Sequence, residues 1–200
     1  IEIFERTGLI YRLDRFIWEL AVQQLAKWQK EGRDELYISV NISTKDFQYM
    51  DVYQTITSLV ERYGIIPSTL KLEITETAIM MGNAGELETI GRFRNYGFEV
   101  EIDDFGSGYS SLNTLKDIDV DVLKIDMGFL RTTRSERLER SMSILNMIIS
   151  LSKILGLSVV TEGVETKEQV SRLSQMGCGV YQGYYFSKPI PVHEFEERYM

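Results

Sequence analysis

Residues 98–104 read FEVEIDD. Successive side chains of a strand point to opposite faces, so Phe98, Val100 and Ile102 share one face and Glu99, Glu101 and Asp103 the other. The same two-sidedness occurs twice upstream. In LKLEITE (70–76), Leu70, Leu72 and Ile74 oppose Lys71, Glu73 and Thr75. In LYISVNIS (36–43), Leu36, Ile38, Val40 and Ile42 oppose Tyr37, Ser39 and Asn41. Three further strand segments follow, DVLKID (121–126), LSVVTEG (157–163) and VYQGYYF (180–186).

Segments of helical length separate these strands. Residues 10–30 carry Leu13, Phe16, Ile17, Leu20 and Trp28 at helical spacing. One helix is predicted from the first strand to about residue 63, then others over 84–96, near 110–116, over 135–155 and over 166–176. The last begins in PVHEFEERYM, with Pro191 near its first turn. Strands alternating with helices imply right-handed crossovers and a parallel sheet. Central strands of a doubly wound sheet are covered on both sides and are apolar on both. Here only one face is apolar, which favours a barrel with the apolar face under the helices and the polar face inside. The fold class expected is therefore α/β, a (β/α)8 TIM-type barrel. Six strands are present where such a barrel has eight, so the two missing strands are expected upstream of Ile1.

The chain has 200 residues, 44% hydrophobic and 26% charged, with three prolines and no low-complexity tract, as expected for one globular domain over 1–200. One cysteine, Cys178, excludes an internal disulfide framework and fits a reducing compartment. With no apolar run long enough to span a bilayer and no leader pattern, a cytoplasmic domain is expected, whether or not a longer parent is membrane-anchored. A net charge of -8 argues against DNA or RNA polymers as ligands. It leaves room for a small anion if cations intervene.

Barrel active sites lie at the C-terminal ends of the strands. Those ends carry Asn41, Glu73, Asp103 with Asp104, Lys124 with Asp126, Glu162 and Gln182. So much convergent charge is costly unless paired or metal-bound. Oxygen donors without a His or Cys cluster select hard cations, Mg²⁺ or Mn²⁺. The one histidine, His193, lies in the terminal helix and is expected at the surface. Two such ions roughly 3.5–4 Å apart stabilise both oxygens of an in-line phosphoryl displacement. Asp103 ends the inward face, and Asp104, one residue on, can turn toward a second ion. Structural roles compete at each position. Strand-end aspartates also cap helices or form turns, and Lys124 can pair with a neighbouring carboxylate. Lys71, Glu99 and Glu101 suit an interior salt-bridge network. Gly106 and Gly108 read first as loop flexibility, Ser110 and Ser111 as helix caps, and Cys178 and Met147–Ile149 as core.

The stretches LKLEITET, IDDFGSGYSSL, LKIDMGFL, VVTEGVET and QGYYFSKPIP, in that order, resemble the EAL-domain cyclic-di-GMP phosphodiesterases, and ISVNIS fits the same pattern earlier on. The resemblance implies a modified barrel with one antiparallel strand, and hydrolysis of cyclic di-GMP to linear pGpG by a water activated between two Mg²⁺ or Mn²⁺ ions. By motif position it makes Asn41, Glu73 and Asp103 ligands of one ion and Asp103 and Asp104 ligands of the other. Glu162 joins the metal set, Lys124 contacts the attacking water, and Gln182 lies near it. Glu76 holds the loop containing Gly106, Ser107 and Gly108, and Glu165 supports the site. Cyclic di-GMP is the implied partner. A homodimer and an upstream sensor or cyclase domain are compatible with the family. The Glu-Ala-Leu tripeptide that names the family, with its metal-binding glutamate, does not occur in this sequence. An N-terminally truncated domain is therefore expected. The alternative is an inactive relative that binds cyclic di-GMP or a partner protein as a sensor; an unrelated divalent-metal barrel enzyme is a third, more distant one.

Overall fold

The structure, a computed structural model, describes residues 2–106, 118–126, 128 and 135–200. The helix expected near 110–116 lies outside the described residues, as do Ser107, Gly108, Ser110 and Ser111. The chain falls into two compact units, Ile1–Leu123 and Lys124–Met200. The described residues form an α/β fold with six strands, whose pairs within each unit, β1 with β2 and β2 with β3 in the first and β5 with β6 in the second, are parallel.

In the first unit, helices α1 (Glu2–Thr7) and α2 (Ile10–Lys30) precede β1 (Ile38–Ile42). Then come α3 (Thr44–Tyr49), α4 (Val52–Tyr63), a 3-10 turn (Pro67–Thr69), β2 (Leu70–Thr75), α5 (Glu76–Met81), α6 (Ala84–Tyr96) and β3 (Glu99–Phe105). The strands lie in chain order. Register sets Val40, Leu72 and Val100 in one row and Asn41, Glu73 and Glu101 in the adjacent one. Partners in a parallel ladder share a face, so the predicted alternation becomes two physical surfaces. Val40, Leu72 and Val100 are buried, and Asn41 and Glu73 are not. The start of β4 (Val122–Ile125) lies beside β3, where the Asp121 N–H donates to the Val100 carbonyl at 2.9 Å.

Two details of this unit differ from expectation. The helix expected through residue 63 is two helices. Ser43 and Asp46 form a reciprocal capping box at the start of α3, and the Asp51 side chain accepts from Gln54 N–H to start α4. Each cap satisfies backbone donors that a helix end leaves open, worth about 1 kcal/mol. In α2 the buried stripe is Trp18, Ala21, Val22, Leu25 and Ala26 together with Trp28, while Phe16, Ile17 and Leu20 are exposed. Both stripes have helical spacing; only tertiary packing chooses between them.

The second unit holds the remainder of β4, α7 (Ser135–Ile154), β5 (Ser158–Thr161), α8 (Lys167–Gln175), β6 (Val180–Tyr181) and α9 (Val192–Tyr199). β5 and β6 are parallel, with Thr161 opposite Tyr181. The strand expected over 180–186 stops after two residues, because the chain turns at Gln182–Gly183 to meet the segment after β5. Cys178 is buried and His193 exposed, as expected. Met147 is 68% exposed, against the core placement expected for it, whereas Ile149 is fully buried.

Candidate functional site

In the first unit the polar rows converge at the strand ends. Asn41 and Glu73 are register partners, and Asp103 stands opposite Thr75, two residues further along the same face. One turn of the ladder below, Lys71 bonds Glu99 at 2.6 Å and reaches Glu101 at 3.4 Å, which is the interior network expected of these three. Ser39 donates a further hydrogen bond to Glu101 at 3.3 Å. Burial works against the Lys71 charge, but the Glu99 hydrogen bond and the two carboxylates outweigh it and hold its pKa above the ordinary lysine value.

Asp104 explains how two aspartates can follow one another. Its φ is 55°, and no other described residue except glycine has a positive φ. A left-handed residue breaks the strand alternation. Ile102 and Phe105 are both buried, with half-buried Asp103 and exposed Asp104 between them. Two neighbouring carboxylates thus stay out of the apolar layer. Aspartate tolerates this conformation better than most side chains, because it can bond locally. Directly after it, the Gly106 N–H donates to Glu76 Oε2 at 3.1 Å, and Glu76 itself is 4% exposed. The expected tie between Glu76 and the start of the loop is therefore present.

In the second unit Lys124 Nζ lies 2.8 Å from Glu162 Oε1, with side chains only 5% and 17% exposed. Their backbones are tied as well, since the Glu162 N–H donates to the Ile125 carbonyl at 3.1 Å. Glu162, Glu165, Gln182 and Asp126 all border one cavity of about 760 Å³. Tyr184, Phe186, Phe195 and Tyr199 line it as well. Sequence reasoning placed the polar residues of this cavity and missed the aromatic ones. Phe195 and Tyr199 stand one helical turn apart on α9, a spacing that marks a shared helix face but not what that face lines.

Asn41, Glu73, Asp103 and Asp104 offer only oxygen donors, from three carboxylates and one amide. That set fits a hard divalent cation such as Mg²⁺ or Mn²⁺ and suits zinc or copper poorly.

The EAL domain family matches the chain over residues 1–189. This chain belongs to the EAL family. It is 35% identical over 197 residues to the signaling protein YkoW of Bacillus subtilis, an alignment covering 98% of the chain and 24% of YkoW. It is 34% identical, again over 98% of the chain, to the cyclic di-GMP phosphodiesterase NbdA of Pseudomonas aeruginosa, of which it covers 25%. The EAL chain thus spans about a quarter of the length of these curated relatives. Among solved structures it superposes with a TM-score of 0.90 on the MucR phosphodiesterase in complex with c-di-GMP. That match has 32% identity and covers 97% of this chain and 78% of the chain in that solved structure. No helix among the described residues is long and apolar enough to cross a membrane.

Proposed function

We propose that this EAL chain is a metal-dependent phosphodiesterase that hydrolyses cyclic di-GMP to linear pGpG. The observation that carries this is Glu162, which pairs with buried Lys124 at 2.8 Å and borders a cavity lined by both polar and aromatic side chains. It is supported by relatives named as cyclic di-GMP phosphodiesterases at about one-third identity. We assign Asn41, Glu73, Asp103, Asp104 and Glu162 to two Mg²⁺ or Mn²⁺ ions, as one EAL-type domain over 1–200 acting in the cytoplasm. Bound there, such ions neutralise the phosphodiester and acidify the attacking water.

The protein's own groups do the rest. The Lys124 ammonium, held by Glu162 at 2.8 Å, is a donor-only cation suited to orienting the water or a phosphate oxygen. Gln182 contributes a neutral amide on the same cavity, able to donate and accept. Water oxygen bonds to phosphorus, the P–O3′ bond breaks, and the ribose O3′ takes a proton, which leaves the 5′-phosphate of pGpG. The aromatic residues lining the cavity suit the planar guanine, since base stacking on aromatic side chains contributes about 1–3 kcal/mol per base. Glu76, Glu165 and the loop residues Gly106, Ser107 and Gly108 support the site.

The test pairs product analysis with binding. Cyclic di-GMP and Mg²⁺ are added to the protein; pGpG is followed by chromatography and ligand binding by calorimetry with Ca²⁺ in place of Mg²⁺. Product formation is expected. Binding without product identifies the protein as a sensor module and contradicts the enzyme assignment.

A further inference from the structure

Beyond β6 the chain meets itself a second time. The Gln182 N–H donates to the Thr161 carbonyl at 2.8 Å, the Val164 N–H to the Gln182 carbonyl at 3.0 Å, and the Tyr185 N–H to the Val164 carbonyl at 2.9 Å. Val164 is fully buried, and both of its backbone polar groups are used in this contact. Gly183 sits inside it. A Cβ on Gly183 would overlap the backbone nitrogen and oxygen of Val164. A flexible side chain can swing away from such a clash, but a buried backbone held by two hydrogen bonds cannot move without breaking them.

What this contact joins gives it a functional meaning. Glu162 lies two residues before Val164, its carboxylate on Lys124 and its N–H on Ile125. Gln182 lies one residue before Gly183, and both Glu162 and Gln182 border the cavity. We propose that Gly183 is a positioning residue: its missing side chain lets residues 182–185 seat on Val164, and this seat sets where the Gln182 amide stands on the cavity that Glu162 also borders. The functional consequence rests on the phosphodiesterase assignment; the seat itself does not. A shift of ~1 Å in a reacting group lowers turnover about a hundredfold, so the seat matters even where the fold survives its loss.

Handedness provides the test. L-Alanine at this position directs its methyl group into Val164, and D-alanine directs it to the opposite side of the Cα. The Gly177–Cys178 junction allows native chemical ligation with no change of sequence. Residues 1–177 are prepared as a thioester and joined to synthetic 178–200, a segment whose one glutamine is Gln182. The synthetic part carries ¹⁵N in Gln182 and Tyr185 alone, and the full-length chain is made with glycine, Gly183→Ala or Gly183→D-Ala. The glycine and D-Ala chains are expected to share the same Gln182 side-chain amide signal and the same slow exchange of the Tyr185 N–H. In Gly183→Ala the Gln182 signal moves to its value in the free peptide and Tyr185 exchanges at least about tenfold faster. Turnover falls about a hundredfold, while helical circular dichroism is kept. Parent-like spectra in Gly183→Ala, or loss of both signals in Gly183→D-Ala, overturns the proposal. Loss of the helical signal in Gly183→Ala overturns it too, because Gly183 would then serve the fold rather than the site. A glycine chain that neither binds nor hydrolyses cyclic di-GMP contradicts the phosphodiesterase assignment alone, and the two amide signals still decide the role of Gly183.

Discussion

At the scale of single residues, Asp104 and Lys124 separate charge from shape. Asn tolerates the left-handed backbone that Asp104 adopts at φ 55°. Asp104→Asn therefore keeps the fold and removes only a carboxylate. Its melting temperature is expected within a degree or two of the parent, its affinity for cyclic di-GMP within a few-fold, and its turnover lower by about 10²–10³. A near-parental rate would remove Asp104 from the metal set. Lys124→Met acts on both stability and rate, because it leaves Glu162 charged in a site where its side chain is only 17% exposed. Breaking such a pair costs about 3–5 kcal/mol, read as a lower midpoint in urea. Phe186→Ala separates binding from chemistry: loss of a stacking face raises KM about tenfold and leaves kcat within about threefold, a split that steady-state kinetics resolves.

Elements hold these residues through contacts that differ in how openly the sequence displays them. The alternation of β1, β2 and β3 was legible, because a strand writes its two faces into every second residue and the register preserves them. The buried side of α2 was not. Phe16, Ile17 and Leu20 are as apolar as Trp18, Val22 and Leu25, and only the packing partner, which is remote in sequence, decides between the stripes. The break between α3 and α4 is marked by the Asp51 cap, a signal that the reading of one helix passed over. Lys71 yields a pH-dependence at this scale. Its folded pKa is raised by Glu99 and Glu101 in spite of burial. The stability it contributes is therefore fully present below the ordinary lysine value of about 10.4 and is lost as pH rises through the folded pKa. Melting curves of the parent should fall more steeply than those of Lys71→Met in that alkaline range and run parallel to them between pH 7 and 9.

For the whole molecule, the EAL motifs made the family and the candidate set legible in the sequence, because each candidate residue sits in a short contiguous signature. Long-range constraints were not legible. The Glu76 bond to Gly106 spans thirty residues and was expected only through the resemblance, while the meeting of Gly183 with Val164 and the aromatic lining of the cavity were not anticipated. If the acidic strand ends hold ions, EDTA should abolish turnover and Mg²⁺ or Mn²⁺ restore it, with Zn²⁺ a poor substitute. The most direct measurement places the protein, cyclic di-GMP and Mg²⁺ in H₂¹⁸O and weighs the nucleotide product. Attack by water at phosphorus predicts pGpG carrying a single ¹⁸O in its 5′-phosphate; cyclic di-GMP recovered intact, or pGpG without the label, would contradict it.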